Sequence, residues 1–279
     1  MDKLKEISVR LKSAGIQDAE KEAEALLCLA LNIERPALYS RDVDEITDMT
    51  TAGTLDSMIA RRLAREPLQY IAAEVEFFGL PLMVGHGVLI PRPETELLVE
   101  QITEILRGRS MSNFKILDLC TGSGCIALAL AKQFSDSAVH AVDISEEALN
   151  YAGANAAANN ILNAVFYHGH LYEPVNAMSF DVIISNPPYI KTADIGRLAP
   201  EIQLYEPIGA LDGGPDGLHF YREIIAGAGS HLNTGGIMAL ELGDTLAGGV
   251  MEIARTAGYG NLTLKADYSS RERFLIIHG

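Results

Sequence analysis

Ile116-Leu117-Asp118-Leu119-Cys120-Thr121-Gly122-Ser123-Gly124-Cys125-Ile126-Ala127 reads as a buried strand, a tight glycine turn and the opening of a helix. Glycine serves where a backbone must come close to a ligand, because a Cβ there would collide with it. Asp143 follows at the end of the next predicted strand, at the spacing of a carboxylate that accepts from both hydroxyls of a ribose. Gly122-x-Gly124-x-x-Ala127 also fits the dinucleotide fingerprint, so the glycines alone specify an adenosine-containing cofactor and no more. Asp118 narrows the choice. A carboxylate just before the turn repels a pyrophosphate but pairs with a cationic amino-acid group. S-adenosyl-L-methionine (SAM) carries an ammonium and a sulfonium and no phosphate, so Asp118 favours SAM over NAD.

Outward from this turn, strand and helix alternate as in a doubly wound parallel sheet. Strands are predicted at 114–119, 138–142, 165–168, 180–185, 236–241, 261–266 and 273–278, with helices at about 124–134, 145–159, 218–231 and 246–257. Only Asp267–Arg271 joins the last two strands, which must therefore pair antiparallel. The expected fold class is α/β: a Rossmann-like, seven-stranded mixed sheet over residues 91–279, preceded by a small all-helical domain over 1–66 and a β-hairpin linker over 67–90.

A second stretch carries chemistry. Ser179-Phe-Asp-Val-Ile-Ile-Ser-Asn186-Pro187-Pro188-Tyr189-Ile190 is an apolar strand stopped by two prolines, neither of which can donate to a sheet ladder. The strand ends in a stiff corner holding an amide and a phenol at its carboxyl end, the edge where open α/β sheets bind ligands. A plain strand-terminating turn is the competing reading of Asn-Pro. Ahead of the sheet, Val88-Leu89-Ile90-Pro91-Arg92-Pro93-Glu94-Thr95-Glu96 precedes a helix expected from about Leu97 to Leu106. Its prolines force an extended, rigid loop around Arg92. Such a charged loop contacts something, or else Glu94 or Thr95 merely caps the helix.

Before Pro67 the pattern is helical. Leu4, Ile7 and Leu11 share one face, Gly15 ends that helix, Asp18 caps a longer one through Asn32, Pro36 opens a short piece, and Leu55, Ile59 and Leu63 form one stripe. Tyr70–Ile71, Glu76–Gly79 and Leu82–Val84 read as short β-like pieces.

The formal net charge is −15, from 22 Lys plus Arg against 37 Asp plus Glu. Such a surface repels a phosphate backbone and suits a basic protein partner better than nucleic acid. Three cysteines, Cys28, Cys120 and Cys125, give neither a disulfide framework nor a four-ligand zinc site. His168-Gly-His170 is a candidate pair of metal ligands with nothing nearby to complete a site, so no metal is expected. No apolar run is long enough to span a bilayer, and Met1–Ile7 reads as an amphipathic helix rather than a signal peptide. A cytoplasmic monomer is expected.

These residues resemble a known family. Asp118–Gly124 with Asp143 is similar to the SAM site of class I methyltransferases, and Asn186-Pro187-Pro188-Tyr189 resembles the tetrapeptide of those that methylate planar amide or amine nitrogens. Leu89–Glu96 resembles the signature of the HemK/PrmC protein-glutamine N5-methyltransferases, which act on the Gly-Gly-Gln motif of peptide-chain release factors. The likeness extends through Arg65–Ile71, Glu206-Pro207, Gly213–Gly217, Glu241-x-Gly243, and Asp267 with Arg271. It implies that the helical domain helps hold the release factor. It also implies a cofactor site of Asp118, Cys120, Thr121, Gly122, Ser123, Gly124, Asp143, Ile144, His170, Leu171 and Asn186, with Arg92, Pro93 and Glu94 beside it. The catalytic set it implies is Asn186, Pro187 and Tyr189, with Pro188 joining them against substrate. Three positions depart from the pattern. Cys120 stands where many relatives have the first glycine of the turn, His170 where they have an acid reaching the adenine amino group, and Leu171 where some have an aromatic ring. A neutral imidazole nitrogen can still accept that adenine bond.

By this resemblance the Asn186 side-chain oxygen accepts one N–H of the substrate amide, the Pro187 carbonyl accepts the other, and Tyr189 packs beside the flat amide. Both acceptors strengthen as the nitrogen becomes positive. The rival readings are a ribosomal-protein glutamine methyltransferase, a DNA adenine-N6 methyltransferase acting on a flipped base, a non-catalytic SAM-binding regulator and an NAD oxidoreductase.

Overall fold

In the computed structural model, residues 2–40 and 49–279 are described; the part of the helical expectation that falls on 41–48 lies outside them. The chain divides into two compact units: residues 1–73 with 199–205, and residues 74–198 with 206–279.

The first unit is helical: α1 (Asp2–Ser13), α2 (Ala19–Leu31), α3 (Arg35–Ser40), α4 (Met49–Leu63), α5 (Leu68–Ala72) and, from later in the chain, α9 (Pro200–Tyr205). The predicted apolar stripes form its core: Ile7 and Leu11 of α1 pack with Ala23, Leu26 and Leu27 of α2 and Leu55 and Ile59 of α4. Asp18 precedes α2 in a left-handed conformation and makes no side-chain cap. Tyr70 and Ile71 lie in α5, not in a β-like piece. Both are buried, and a two-residue apolar pair carries no period by which helix and strand could be told apart. Arg62, 4 % exposed, donates to Glu22 at 2.5 Å and to Glu201 of α9 at 3.0 Å. Arg65 donates to the same Glu201 at 2.8 Å. The two carboxylates offset the desolvation of a buried guanidinium, which an apolar cluster alone would not.

The second unit opens with the hairpin β1 (Glu74–Phe77) and β2 (Leu80–Met83), which pair antiparallel. Helix α6 (Pro93–Arg107) starts at Pro93, four residues before the expected Leu97, because a proline at the first helical position loses no hydrogen bond. Then come β3 (Lys115–Leu119), α7 (Cys125–Gln133), β4 (Ala138–Asp143), α8 (Glu146–Ala158), β5 (Ala164–His168), β6 (Phe180–Ser185), α10 (His219–His231), β7 (Leu232–Glu241), α11 (Ala247–Thr256), β8 (Asn261–Ala266) and β9 (Glu272–His278). All seven predicted sheet strands are present, in the order β5-β4-β3-β6-β7-β9-β8. The first five are parallel, and β9 runs antiparallel to both β7 and β8. Strand β7 begins four residues early, at Leu232, with a register shift opposite Phe180–Val182. Apolar clusters cover both faces of the sheet, as parallel strands require. Among the described residues, no helix is long and apolar enough to cross a membrane.

Register positions the site. Leu119 pairs with Ser185, Ser185 with Leu240, Val142 with Leu119, and Asp143 with His168. The next residues along these strands therefore sit side by side on one sheet edge, with neighbouring strands about 4.8 Å apart. They are Gly169-His170 after β5, Asp143 ending β4, Cys120 after β3, Asn186 after β6 and Glu241 ending β7. The chain order reverses between β3 and β6, where doubly wound sheets open a crevice.

Candidate active site

The glycine turn is built from its own side chains. Asp118 is fully buried; its Oδ2 accepts from Thr121 Oγ1 at 2.6 Å and from the Ala127 backbone N–H at 3.1 Å. Its Oδ1 is buried with no hydrogen-bond partner among the described residues, and burial pushes the carboxyl up to about 7. Asp143 Oδ2 accepts from the Gly122 N–H at 2.7 Å and its Oδ1 from the Ser145 N–H at 2.9 Å. Those bonds fix the carboxylate at the cleft and leave lone pairs for further donors. Asn155 of α8, also fully buried, ties the turn to the hairpin: its amide donates to Ser123 O and Met83 O, and its oxygen accepts from Met83 N.

The two glycines of the turn do different work. A Cβ on Gly122 (φ +57°) would meet nothing nearer than Val88 at 3.9 Å, which leaves an open cradle. A Cβ on Gly124 (φ +81°) would meet Ala152 at 3.1 Å and Leu128 at 3.3 Å. Gly124 thus serves helix packing rather than ligand approach, and it does not line the cleft. Cys120 adopts φ +61°, a conformation glycine takes without strain and cysteine does not.

The Asn186 corner is seated in a backbone mould. Ile190 N–H donates to Leu211 O at 2.9 Å, and Gly213 N–H donates to Ile190 O at 2.8 Å. A Cβ on Gly213 would lie 2.6 Å from Tyr189 Cα and 2.9 Å from Pro188 O, so this residue has to be glycine. The Tyr189 ring lies against Gly243, and burial raises its phenol pKa. In the loop before α6, Arg92 donates to Glu206 at 2.5 Å. The other Glu206 oxygen accepts from the Ile90 N–H at 3.2 Å, so the rigid loop is clamped to the Glu206-Pro207 segment.

A single cleft gathers these pieces. Arg92, Cys120, Thr121, Gly122, Ser123, Asp143, Ile144, His170, Leu171, Asn186 and Pro188 all line it. Asp118, Pro93, Glu94, Pro187 and Tyr189 do not: Asp118 lies beneath the turn, and Pro93 and Glu94 line a separate groove with Tyr268. Thr95 is not a cap either, since its hydroxyl donates to Glu241 at 2.6 Å. His168 Nε2 contacts Ile144 O, whereas His170 Nε2 contacts Glu223 at 2.5 Å, so the two imidazoles turn to different partners. Among the described residues no cluster could hold a metal ion.

Phe220 of α10 also lines the cleft, beside His170, with ring centroids 6.4 Å apart. Sequence reading missed it because nothing local distinguishes it from a core position of an amphipathic helix. The residues fit SAM: an unpartnered buried carboxylate oxygen next to the turn, a second carboxylate at the ribose position, an open glycine cradle, and an aromatic ring with an imidazole at the far end.

A mixed seven-stranded sheet with its last pair antiparallel, a glycine turn after the central strand and an acidic residue ending the next one define a class I methyltransferase fold. A crystal structure of a methyltransferase from Pyrococcus furiosus shares that fold: TM-score 0.53 and 23% identity, over 80% of this chain and 96% of that one. Residues 93–201 match the Methyltransferase small domain model and residues 2–72 the PrmC N-terminal domain model. The release factor glutamine methyltransferase of Thermodesulfovibrio yellowstonii is 44% identical over 99% of this chain and 97% of its own length. That of Geobacter sulfurreducens is 43% identical over 89% and 86%. The chain belongs to the release factor glutamine methyltransferase family.

Proposed function

We propose that the chain transfers a methyl group from SAM to the side-chain amide N5 of the glutamine in the Gly-Gly-Gln motif of peptide-chain release factors, working as a cytoplasmic monomer. One observation carries the reading: Asn186 and Pro188 of the corner line the same cleft as the Cys120–Ser123 turn and Asp143. Near-full-length relatives bearing that name support the choice of substrate over the ribosomal-protein and DNA-adenine alternatives. The net charge of −15 speaks separately against a nucleic-acid substrate.

SAM, when bound, supplies an electrophilic methyl carbon on a sulfonium. The Asp118 Oδ1 would face its ammonium, Asp143 its ribose hydroxyls, and His170, Leu171 and Phe220 its adenine. An amide nitrogen is a poor nucleophile because its lone pair is delocalised into the carbonyl. Asn186 Oδ1 takes one of its N–H groups in the cleft. The carbonyl of Pro187, which lies between the cleft-lining Asn186 and Pro188 without lining the cleft itself, takes the other as the amide seats against the corner, turning that lone pair toward the methyl. Both acceptors grow stronger as positive charge develops on nitrogen, so they stabilise the transition state more than the bound substrate. The prolines hold the carbonyl's direction. No strong general base is needed, because a methylated, cationic amide nitrogen loses its proton readily. The helical unit helps hold the release factor.

The test is methyl transfer from SAM labelled in its methyl group, offered in parallel to a release factor, a ribosomal protein and duplex DNA. Label in the release factor is the expected result; label only in the ribosomal protein or the DNA overturns the substrate.

A further inference from the structure

An asparagine amide has two nearly isosteric ends, and only one of them serves the proposed chemistry. With Oδ1 toward the cleft it accepts a substrate N–H; with Nδ2 toward the cleft it meets that N–H donor to donor. Something must choose the end, and the corner backbone does not, because rotating the terminal amide leaves the backbone unmoved.

The choice is made by a relay outside the corner. Thr95 Oγ1 lies 2.6 Å from Glu241 Oε2 and 3.2 Å from Asn186 Nδ2. A hydroxyl has one hydrogen. Thr95 gives it to the Glu241 carboxylate and can then only accept from Asn186, so the Asn186 group facing Thr95 must be the NH2 end. Oδ1 is left for the cleft. Both relay residues are about 1 % exposed, so water does not compete for these bonds. Three elements supply the parts: Thr95 comes from the first turn of α6, Asn186 follows β6, and Glu241 ends β7, the strand paired beside β6.

We propose that Thr95 and Glu241 are positioning residues that fix which end of the Asn186 side-chain amide faces the cleft, making it a hydrogen-bond acceptor. The assignment rests on the glutamine-methylation reading for its catalytic consequence but not for its geometry. It gives the buried Glu241 a purpose: a carboxylate is acceptor-only, and so orients a hydroxyl unambiguously.

The relay has a built-in proton dependence. Burial pushes Glu241 up to about 7. Thr95 and Arg273 favour its charged form and Glu94 opposes it, with Arg92, Tyr189, Tyr221 and Cys125 also facing it. Once protonated, Glu241 donates to Thr95. The threonine hydrogen then seeks the Asn186 oxygen, and the amide turns its NH2 end to the cleft. Turnover is therefore half-maximal near pH 7, approaches its full value about a unit above that, and falls away as pH drops below it.

Thr95→Val removes the hydroxyl at nearly constant volume, Thr95→Ser keeps it, and Glu241→Gln keeps an acceptor that does not titrate. The expected result for Thr95→Val is a kcat lowered about 10- to 100-fold with SAM affinity within about threefold of wild type. Thr95→Ser restores turnover, and the acid limb of the kcat profile disappears in Glu241→Gln whatever its remaining rate. A substrate-free readout stands beside these: the side-chain amide hydrogens of 15N-labelled Asn186 exchange with water slowly in wild type and fast in Thr95→Val. A folded, SAM-binding Thr95→Val with wild-type exchange overturns the relay itself. Changed exchange with wild-type kcat overturns its bearing on turnover. A wild-type enzyme that methylates no glutamine counts against the functional reading, and the exchange rates then decide the relay alone.

Discussion

Gly213→Ala is the substitution whose consequence follows most directly from the geometry. The added Cβ would stand 2.6 Å from Tyr189 Cα, 2.8 Å from Tyr189 C and 2.9 Å from Pro188 O. All three are backbone atoms of the corner, so no side chain can swing aside. Restoring contact at 3.4 Å requires the corner to retreat by about 0.8 Å. A displacement near 1 Å of groups that align a reaction lowers the rate by about 100-fold. Overpacking of this kind destabilises by roughly 1–3 kcal/mol. The cofactor turn lies on another strand, so SAM affinity should change little. Gly229→Ala is the control, because its Cβ would meet nothing within 4 Å and it sits inside helix α10. The assay is single-turnover methylation of a release-factor substrate, with SAM affinity by calorimetry and stability by urea unfolding. A folded Gly213→Ala enzyme with wild-type turnover would refute the idea that the corner's position sets the rate.

Three further outcomes are expected. Asn186→Ala should lower kcat by about 2–4 kcal/mol in transition-state stabilisation while leaving SAM affinity within a few fold; weakened SAM binding with unchanged kcat would sink the assigned role. Asp118 titrates near 7 in the folded protein against 3.8 as a free side chain, so the native state holds the extra proton and this group's contribution to stability falls as pH rises from about 4 to 7. The difference in unfolding free energy between wild type and Asp118→Asn should trace that slope, and SAM binding near pH 6.5 should release a fraction of a proton in wild type and less in Asp118→Asn, read by calorimetry in buffers of different ionisation enthalpy. Arg92→Ala should destabilise the protein by about 2 kcal/mol in urea unfolding, because it leaves Glu206, 4 % exposed, without its cation; the figure is set below that for a fully buried pair because Arg92 is partly exposed.

The strands and the glycine turn were legible because buried parallel strands announce themselves as apolar runs and tight turns as glycine. The antiparallel last pair followed from the brevity of Asp267–Arg271, which no helix could fill. Less was legible where the deciding partner lies far along the chain. Thr95 reads as a helix cap until Glu241, 146 residues later, takes its hydrogen. Gly124 reads as a ligand contact until Ala152 packs against it. Phe220 reads as one more apolar helix residue until α10 swings it into the cleft. Residues 199–205 join the helical unit through Glu201 and its two arginines, a pairing no local pattern announces. Cys120 shows the converse: it stands where many relatives have the first glycine of the turn, and its φ of +61° is the conformation that glycine would serve, which the residue type alone does not reveal.

The central claim is that the cleft joins SAM to a glutamine amide through Asn186. It is tested most directly by tandem mass spectrometry of a Gly-Gly-Gln release-factor fragment after incubation with SAM and either the wild-type chain or Asn186→Ala. One methyl on the glutamine side-chain nitrogen, present with wild type and nearly absent with Asn186→Ala, is the expected result. No methyl on that glutamine with wild type, or equal methylation by both proteins, would contradict it.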